Sequence, residues 1–122
     1  MNLNYIILYV QDINKLKTFY TDVLGMEVVE AGSSPTFVTL CLPEGARIGL
    51  QDKSTSKLPP AQEKAGSVEL SFAVDDVDTT WKHWQEKGVE LVSDPVDLPF
   101  GRYFLAKDPE GHYLSAYRFN TK

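Results

Sequence analysis

Val10-Gln11-Asp12-Ile13 with Pro43-Glu44-Gly45, and Val74-Asp75-Asp76-Val77 with Pro109-Glu110-Gly111, are the same pair of signposts written twice in one chain. In each copy an apolar run ends at an aspartate suited to cap a helix, because its carboxylate can accept backbone N–H groups that the first turn leaves free. In each copy Pro-Glu-Gly marks a tight turn. Working outward, residues 3–10 read as a strand, followed by a helix on which Leu16, Phe19, Tyr20, Val23 and Leu24 fall at helical spacing and which Gly25 ends as a left-handed cap. Residues 27–31, 36–42 and 47–51 then read as three short strands, separated by Gly32-Ser33-Ser34-Pro35 and by the Pro-Glu-Gly turn. The second copy repeats the order. It has a strand over 68–74, a helix opened by Asp76, carrying Trp81 and Trp84 and ended by Gly88, and strands near 89–92, 102–106 and 112–119.

A chain of 122 residues, 43% of them hydrophobic, can bury one core and is too short for two ordinary domains. Residues 1–122 therefore read as one domain of two modules, 1–53 and 66–122, joined by a connector over 54–65 with Lys, Ser and Pro but no apolar period. No apolar run approaches the roughly 20 residues that span a bilayer, and no basic segment precedes an apolar one at the start. A cytoplasmic location without membrane contact is expected. The net charge of -5, with scattered Lys and Arg, speaks against nucleic acid and for a neutral or cationic small molecule. Cys41, the one cysteine, lies in an apolar strand pattern and reads as a small buried hydrophobe.

Pro99-Phe100-Gly101-Arg102-Tyr103-Phe104, followed by Asp108-Pro109-Glu110-Gly111-His112, resembles the C-terminal signature of the glyoxalase, bleomycin resistance and extradiol dioxygenase superfamily. Val10-Gln11-Asp12, Phe19-Tyr20 and Leu24-Gly25-Met26 resemble that superfamily's opening strand and helix. The resemblance implies an α+β fold: two tandem βαβββ modules whose curved mixed sheet surrounds a cavity, with the helices on the convex face. Fold resemblance does not carry an activity with it. Strand alternation then sorts the side chains. Ile6, Leu8, Val10, Ile48, Leu50, Val68, Leu70, Phe72, Val74, Leu114 and Ala116 should face the core. Tyr5, Ile7, Tyr9, Arg47, Gly49, Gln51, Glu69, Ser71, Ala73, Tyr113, Ser115 and Tyr117 should face the cavity.

Metal-dependent relatives implied by the resemblance carry His, Glu or Gln at four positions, which here match Tyr5, Gly49, Glu69 and Ser115. Transition metals in such cups want imidazoles and carboxylates, and Glu69 alone qualifies. Slipping by two residues offers Ile7, Gln51, Ser71 and Tyr117, or Leu3, Arg47, Ser67 and Tyr113, again without His or carboxylate. No metal or other cofactor is expected. His83 and His112 read as surface residues and Asp108 as a turn former.

What remains is an aromatic cup with one acid. The expected ligand-binding set is Tyr5, Ile7, Tyr9, Phe37, Arg47, Gly49, Gln51, Glu69, Tyr103, Tyr113, Ser115 and Tyr117, with Phe119 at its margin. Such a cup suits a planar or cationic small molecule, as in the antibiotic-binding branch that the sequence also resembles. Two other readings stand beside sequestration: a lyase or isomerase using Glu69 as general base, and a metal-dependent enzyme with displaced ligands. Glu69 pairs with Arg47 or stays free for a ligand. The superfamily resemblance implies a homodimer, with the cup formed within one chain or by exchanged modules.

Overall fold

In the computed structural model, residues 1, 3, 5–55 and 68–120 are described. The chain divides into two compact units, Met1–Ala65 and Gly66–Lys122. The connector expected over 54–65 lies, from residue 56 onward, outside the described residues, as does Ser67.

The first unit contains β1 (Ile6–Val10), α1 (Ile13–Asp22), β2 (Glu27–Val28), β3 (Phe37–Cys41) and β4 (Arg47–Asp52). Its sheet runs β1-β4-β3-β2, with β1 parallel to β4 and the other pairs antiparallel. The helix starts where the sequence says it should: the Asp12 side chain accepts from the Lys15 amide at 3.0 Å. It stops at Gly25, whose φ of 72° lies in the left-handed region that glycine enters without a Cβ penalty. Leu16 and Tyr20 on α1 meet Leu8, Val10, Val38, Leu40, Ile48 and Leu50 of the sheet in a buried core.

The second unit contains β5 (Glu69–Ala73), α2 (Val77–Glu86), β6 (Glu90–Leu91), β7 (Val96–Leu98), β8 (Gly101–Lys107) and β9 (Tyr113–Phe119). The order is β5-β9-β8-β6, β5 and β9 being parallel, with β7 added antiparallel to β8. Asp76 caps α2 through the Thr79 amide at 3.0 Å, which holds its carboxyl below the usual carboxylate range. Trp84 is the centre of the core, edge-on to Phe104 at 5.2 Å and to Phe72 at 6.4 Å. Trp81 is half-buried and its indole N–H donates to the Ser93 carbonyl at 3.2 Å.

The first module is thus βαβββ and the second is βαβββ with the short β7 added between β6 and β8; each has an open curved mixed sheet and one helix, and the two turns match in kind. Leu42 N donates to Ala46 O and Gly45 N to Leu42 O; Asp108 N donates to His112 O and Gly111 N to Asp108 O.

Four expectations need correction. The strand expected over 27–31 ends at Val28 and gives way to a 3-10 turn at Glu30–Gly32. Local side chains impose it: the Ser33 hydroxyl donates to Val29 O at 2.8 Å and accepts from the Thr39 amide at 3.0 Å, while Thr39 Oγ1 donates to Gly32 O at 2.7 Å. β7 was not expected, because three residues after Pro95 are too few to show a period. Ile6 and Val68, expected to be core residues, lie at the open starts of their sheets' first strands and are 40% and 51% exposed. His112 is no ordinary surface residue, since its Nδ1 lies 2.7 Å from the buried Asp108 carboxylate, which also accepts the Glu110 and His112 amides.

Candidate functional site

Alternation along β5, β9 and β8 gathers one set of side chains on the face of the second sheet opposite Trp84. Leu70, Leu114, Ala116, Phe104 and Ala106 are the core-facing residues. Their neighbours Glu69, Ser71, Tyr103 and Tyr117, together with Phe100 and Phe119, line a cavity of about 440 Å³. Four rings form its walls. Phe100 stands edge-on to Tyr103 at 6.2 Å and to Phe119 at 6.1 Å, and Tyr117 lies tilted against Phe119 at 5.0 Å. Beneath them Ser71 Oγ and the fully buried Ser115 Oγ are 2.5 Å apart, on paired residues of β5 and β9.

Among the described lining residues the one charged group is Glu69, which is exposed and whose Oε2 accepts a hydrogen bond from Tyr103 Oη at 3.0 Å. Burial, then the hydrogen bond to this carboxylate and its charge, push the Tyr103 phenol up to about 12. Tyr103 therefore stays protonated and donates. The dry surroundings expected for Glu69 are not there, whereas the carboxylate does face the aromatic walls. Phe100 and Phe119 remain 44% and 58% exposed, an unusual amount of aromatic surface to leave uncovered in one place.

Of the residues expected to bind a ligand, Glu69, Tyr103 and Tyr117 line this cavity and Ser115 lies under it. Tyr113 is two residues from Ser115 on the same face but does not line the cavity; Lys107 Nζ sits over its ring at 5.4 Å. The remaining expected residues belong to the first module. Tyr5 stands edge-on to Phe37 at 6.3 Å. Phe37 covers Gly49 so closely that a Cβ there would meet its Cζ at 2.5 Å. Ile7 is paired with Gly49, and Tyr9 with Gln51, whose Nε2 donates to Asp52 O at 2.9 Å and to Thr55 Oγ1 at 3.2 Å. Arg47 stands at the start of β4; the hydrogen bond to Thr39 and, to a lesser degree, the Arg47 charge hold the Tyr5 phenol below its ordinary value. Phe100 is the lining residue that alternation missed, because it sits in the turn between β7 and β8 and follows no period.

The four positions at which metal-dependent relatives place ligands offer a poor donor set. Gly49 has no side chain. Thr39 Oγ1 spends its only proton on Gly32 O, so the Tyr5 hydroxyl at 3.1 Å donates to it. Ser115 is bonded to Ser71, and Glu69 is the one carboxylate of the four. Among the described residues no three His, Cys, Asp or Glu side chains come together. These residues do not fit a transition-metal centre built from imidazoles and carboxylates.

The glyoxalase/bleomycin resistance protein/dioxygenase superfamily profile matches residues 2–115, and the chain belongs to that superfamily. Among solved structures, a protein of Agrobacterium tumefaciens determined by NMR in solution is 35% identical, with a TM-score of 0.83 and 99% of each chain covered. TnmS3, an antibiotic binding protein from Streptomyces sp. CB03234, is 24% identical, with a TM-score of 0.78 over 98% of this chain and 97% of that one. A lactoylglutathione lyase from Agrobacterium tumefaciens is 20% identical, with a TM-score of 0.77 over 96% of this chain and 92% of that one. At these last two identities the likeness is one of fold. No curated protein matches the chain. Among the described residues no helix is long and apolar enough to cross a membrane.

Proposed function

We propose that the protein binds a planar, cationic small molecule in the cavity of its second module, without a resident transition metal, and that it acts by sequestering an aromatic or basic compound of antibiotic type. The observation that carries this reading is the set of Phe100, Tyr103, Tyr117 and Phe119 around the single carboxylate of Glu69. Ring faces attract a cation and stack a flat molecule, and the carboxylate supplies the opposite charge. A cavity of about 440 Å³ falls within the range typical of small-ligand sites. The shared fold with TnmS3 supports the sequestering role.

The test is a fluorescence titration with acridine orange, a planar cation, against the protein and its Glu69→Gln variant. The native protein is expected to bind saturably, and the variant about tenfold more weakly, corresponding to roughly 1.4 kcal/mol. Equal affinities would show that Glu69 does not hold the cation.

A second reading rests on a separate detail. Among the described residues Glu69 Oε1 has no hydrogen-bond partner, while Oε2 is held by Tyr103. A carboxylate oxygen directed at a cavity beside a protonated phenol is an arrangement for proton abstraction and return, the work of a lyase or isomerase. A Glu69→Gln variant that keeps its ligand affinity but loses turnover would favour this reading over sequestration.

A further inference from the structure

The first module holds a concave surface that the cation-binding reading does not use. Leu3, Tyr5, Gly45 and Arg47 line a partly enclosed cavity of about 350 Å³ beside the Pro43-Glu44-Gly45 turn. Among the described lining residues Arg47 is the charged one. The Tyr5 proton is committed to Thr39, and the Arg47 charge acts on the Tyr5 oxygen. A guanidinium has five N–H donors in a planar fork, enough to hold both oxygens of a carboxylate.

Among the described residues no carboxylate stands within ion-pair distance of Arg47. The contrast inside the same chain is sharp. Arg102 bridges Asp78 at 3.1 Å and Asp97 at 2.9 Å, and Arg118 donates to the Asp75 carbonyl. In a protein with 17 acidic residues against 12 basic ones, acidic partners are plentiful, yet the arginine that faces this cavity has none. Among the described residues the other side chains of its lining are those of Leu3 and Tyr5.

We propose that this cavity binds the carboxylate of a small organic acid, Arg47 holding both oxygens through its fork while Leu3 and the Tyr5 ring cover the apolar part of the ligand. Two parallel N–H···O bonds are the strongest geometry available to this pair. Phosphate matches the same fork, but it would leave Leu3 and the Tyr5 ring uncovered.

The experiment titrates benzoate, and separately inorganic phosphate, into isotope-labelled full-length protein at constant ionic strength, following the Arg47 Nε–H and Gly45 amide signals. Benzoate is expected to shift both saturably, and phosphate to bind about tenfold more weakly. Arg47→Met should abolish the response, and Arg47→Lys, which keeps the charge without the fork, should weaken it about tenfold. Arg47 is exposed, so the rest of each variant's spectrum should match the native one. No saturable shift with benzoate, an unchanged response in Arg47→Met, or phosphate binding as tightly as benzoate would each overturn the proposal. Acridine orange binding by the second module is a separate measurement, so either result stands without the other.

Discussion

Replacing Gly101 by alanine tests whether the cavity depends on how closely β8 and β9 approach. Gly101 is paired with Phe119 at the end of both strands, and a Cβ built on it would lie 2.0 Å from the Arg118 carbonyl oxygen and 2.9 Å from Phe119 Cα. Both obstacles are backbone, so no rotamer change relieves the clash. Ordinary contact begins at 3.4 Å, which requires the two strands to part by 3.4 − 2.0 = 1.4 Å at this end. Such a shift breaks local ladder hydrogen bonds and strains the neighbouring turn, where Asn120 N donates to Phe100 O at 2.9 Å and Asn120 Nδ2 to Pro99 O at 3.1 Å. Overpacking of this kind costs about 1–3 kcal/mol. We expect about 2–3 kcal/mol in urea unfolding, a midpoint lower by about 1 M. Because Phe119 is the displaced partner and Phe100 directly precedes Gly101, acridine orange affinity should fall as well. Gly25→Ala is the control: nothing lies within 4 Å of its Cβ, and only its φ of 72° opposes a side chain, at about 1 kcal/mol. A Gly101→Ala protein as stable as the native one, with unchanged dye binding, would refute the reasoning.

The Tyr103 phenol should ionise at about 12, seen as the absorbance component at 295 nm that is lost in Tyr103→Phe, and Glu69→Gln should lower it only in part, because burial, the larger cause, remains. Between pH 10 and 12 the unfolded chain gives up this proton while the folded one keeps it, so the contribution is whole below pH 10 and stability falls as pH rises through that window. The slope should be smaller in Tyr103→Phe, and equal slopes would contradict the assignment. Trp84→Ala, which empties the space between Phe72 and Phe104, should cost about 3–5 kcal/mol by denaturant unfolding. A loss below about 1 kcal/mol would mean that the second core is not centred there.

The duplication was legible because each module repeats features with a purely local cause. Asp12 and Asp76 cap helices, Gly25 and Gly88 end them at φ of 72° and 82°, and the glycines of the two Pro-Glu-Gly turns adopt φ of 110° and 93°. Strand alternation was equally legible within regular, ladder-paired strands, and Glu69, Tyr103 and Tyr117 share one face. It failed where individual side-chain and turn contacts, which follow no period, decide the geometry. Phe100 enters the cavity through a turn tied to Asn120. The 3-10 turn after β2 is dictated by Ser33 and Thr39 hydroxyls. His112 has no periodic signature and is fixed by the buried Asp108 that its own turn encloses. The small residue at Gly49 reads as an empty ligand position, and the structure adds its packing reason, the Phe37 ring resting on it.

Binding of a planar cation in the aromatic cavity of the second module is measured most directly by intermolecular NOEs between acridine orange and selectively labelled aromatic side chains. Contacts are expected to the rings of Phe100, Tyr103, Tyr117 and Phe119, weakened in Glu69→Gln. Saturable binding whose contacts avoid all four rings would contradict it.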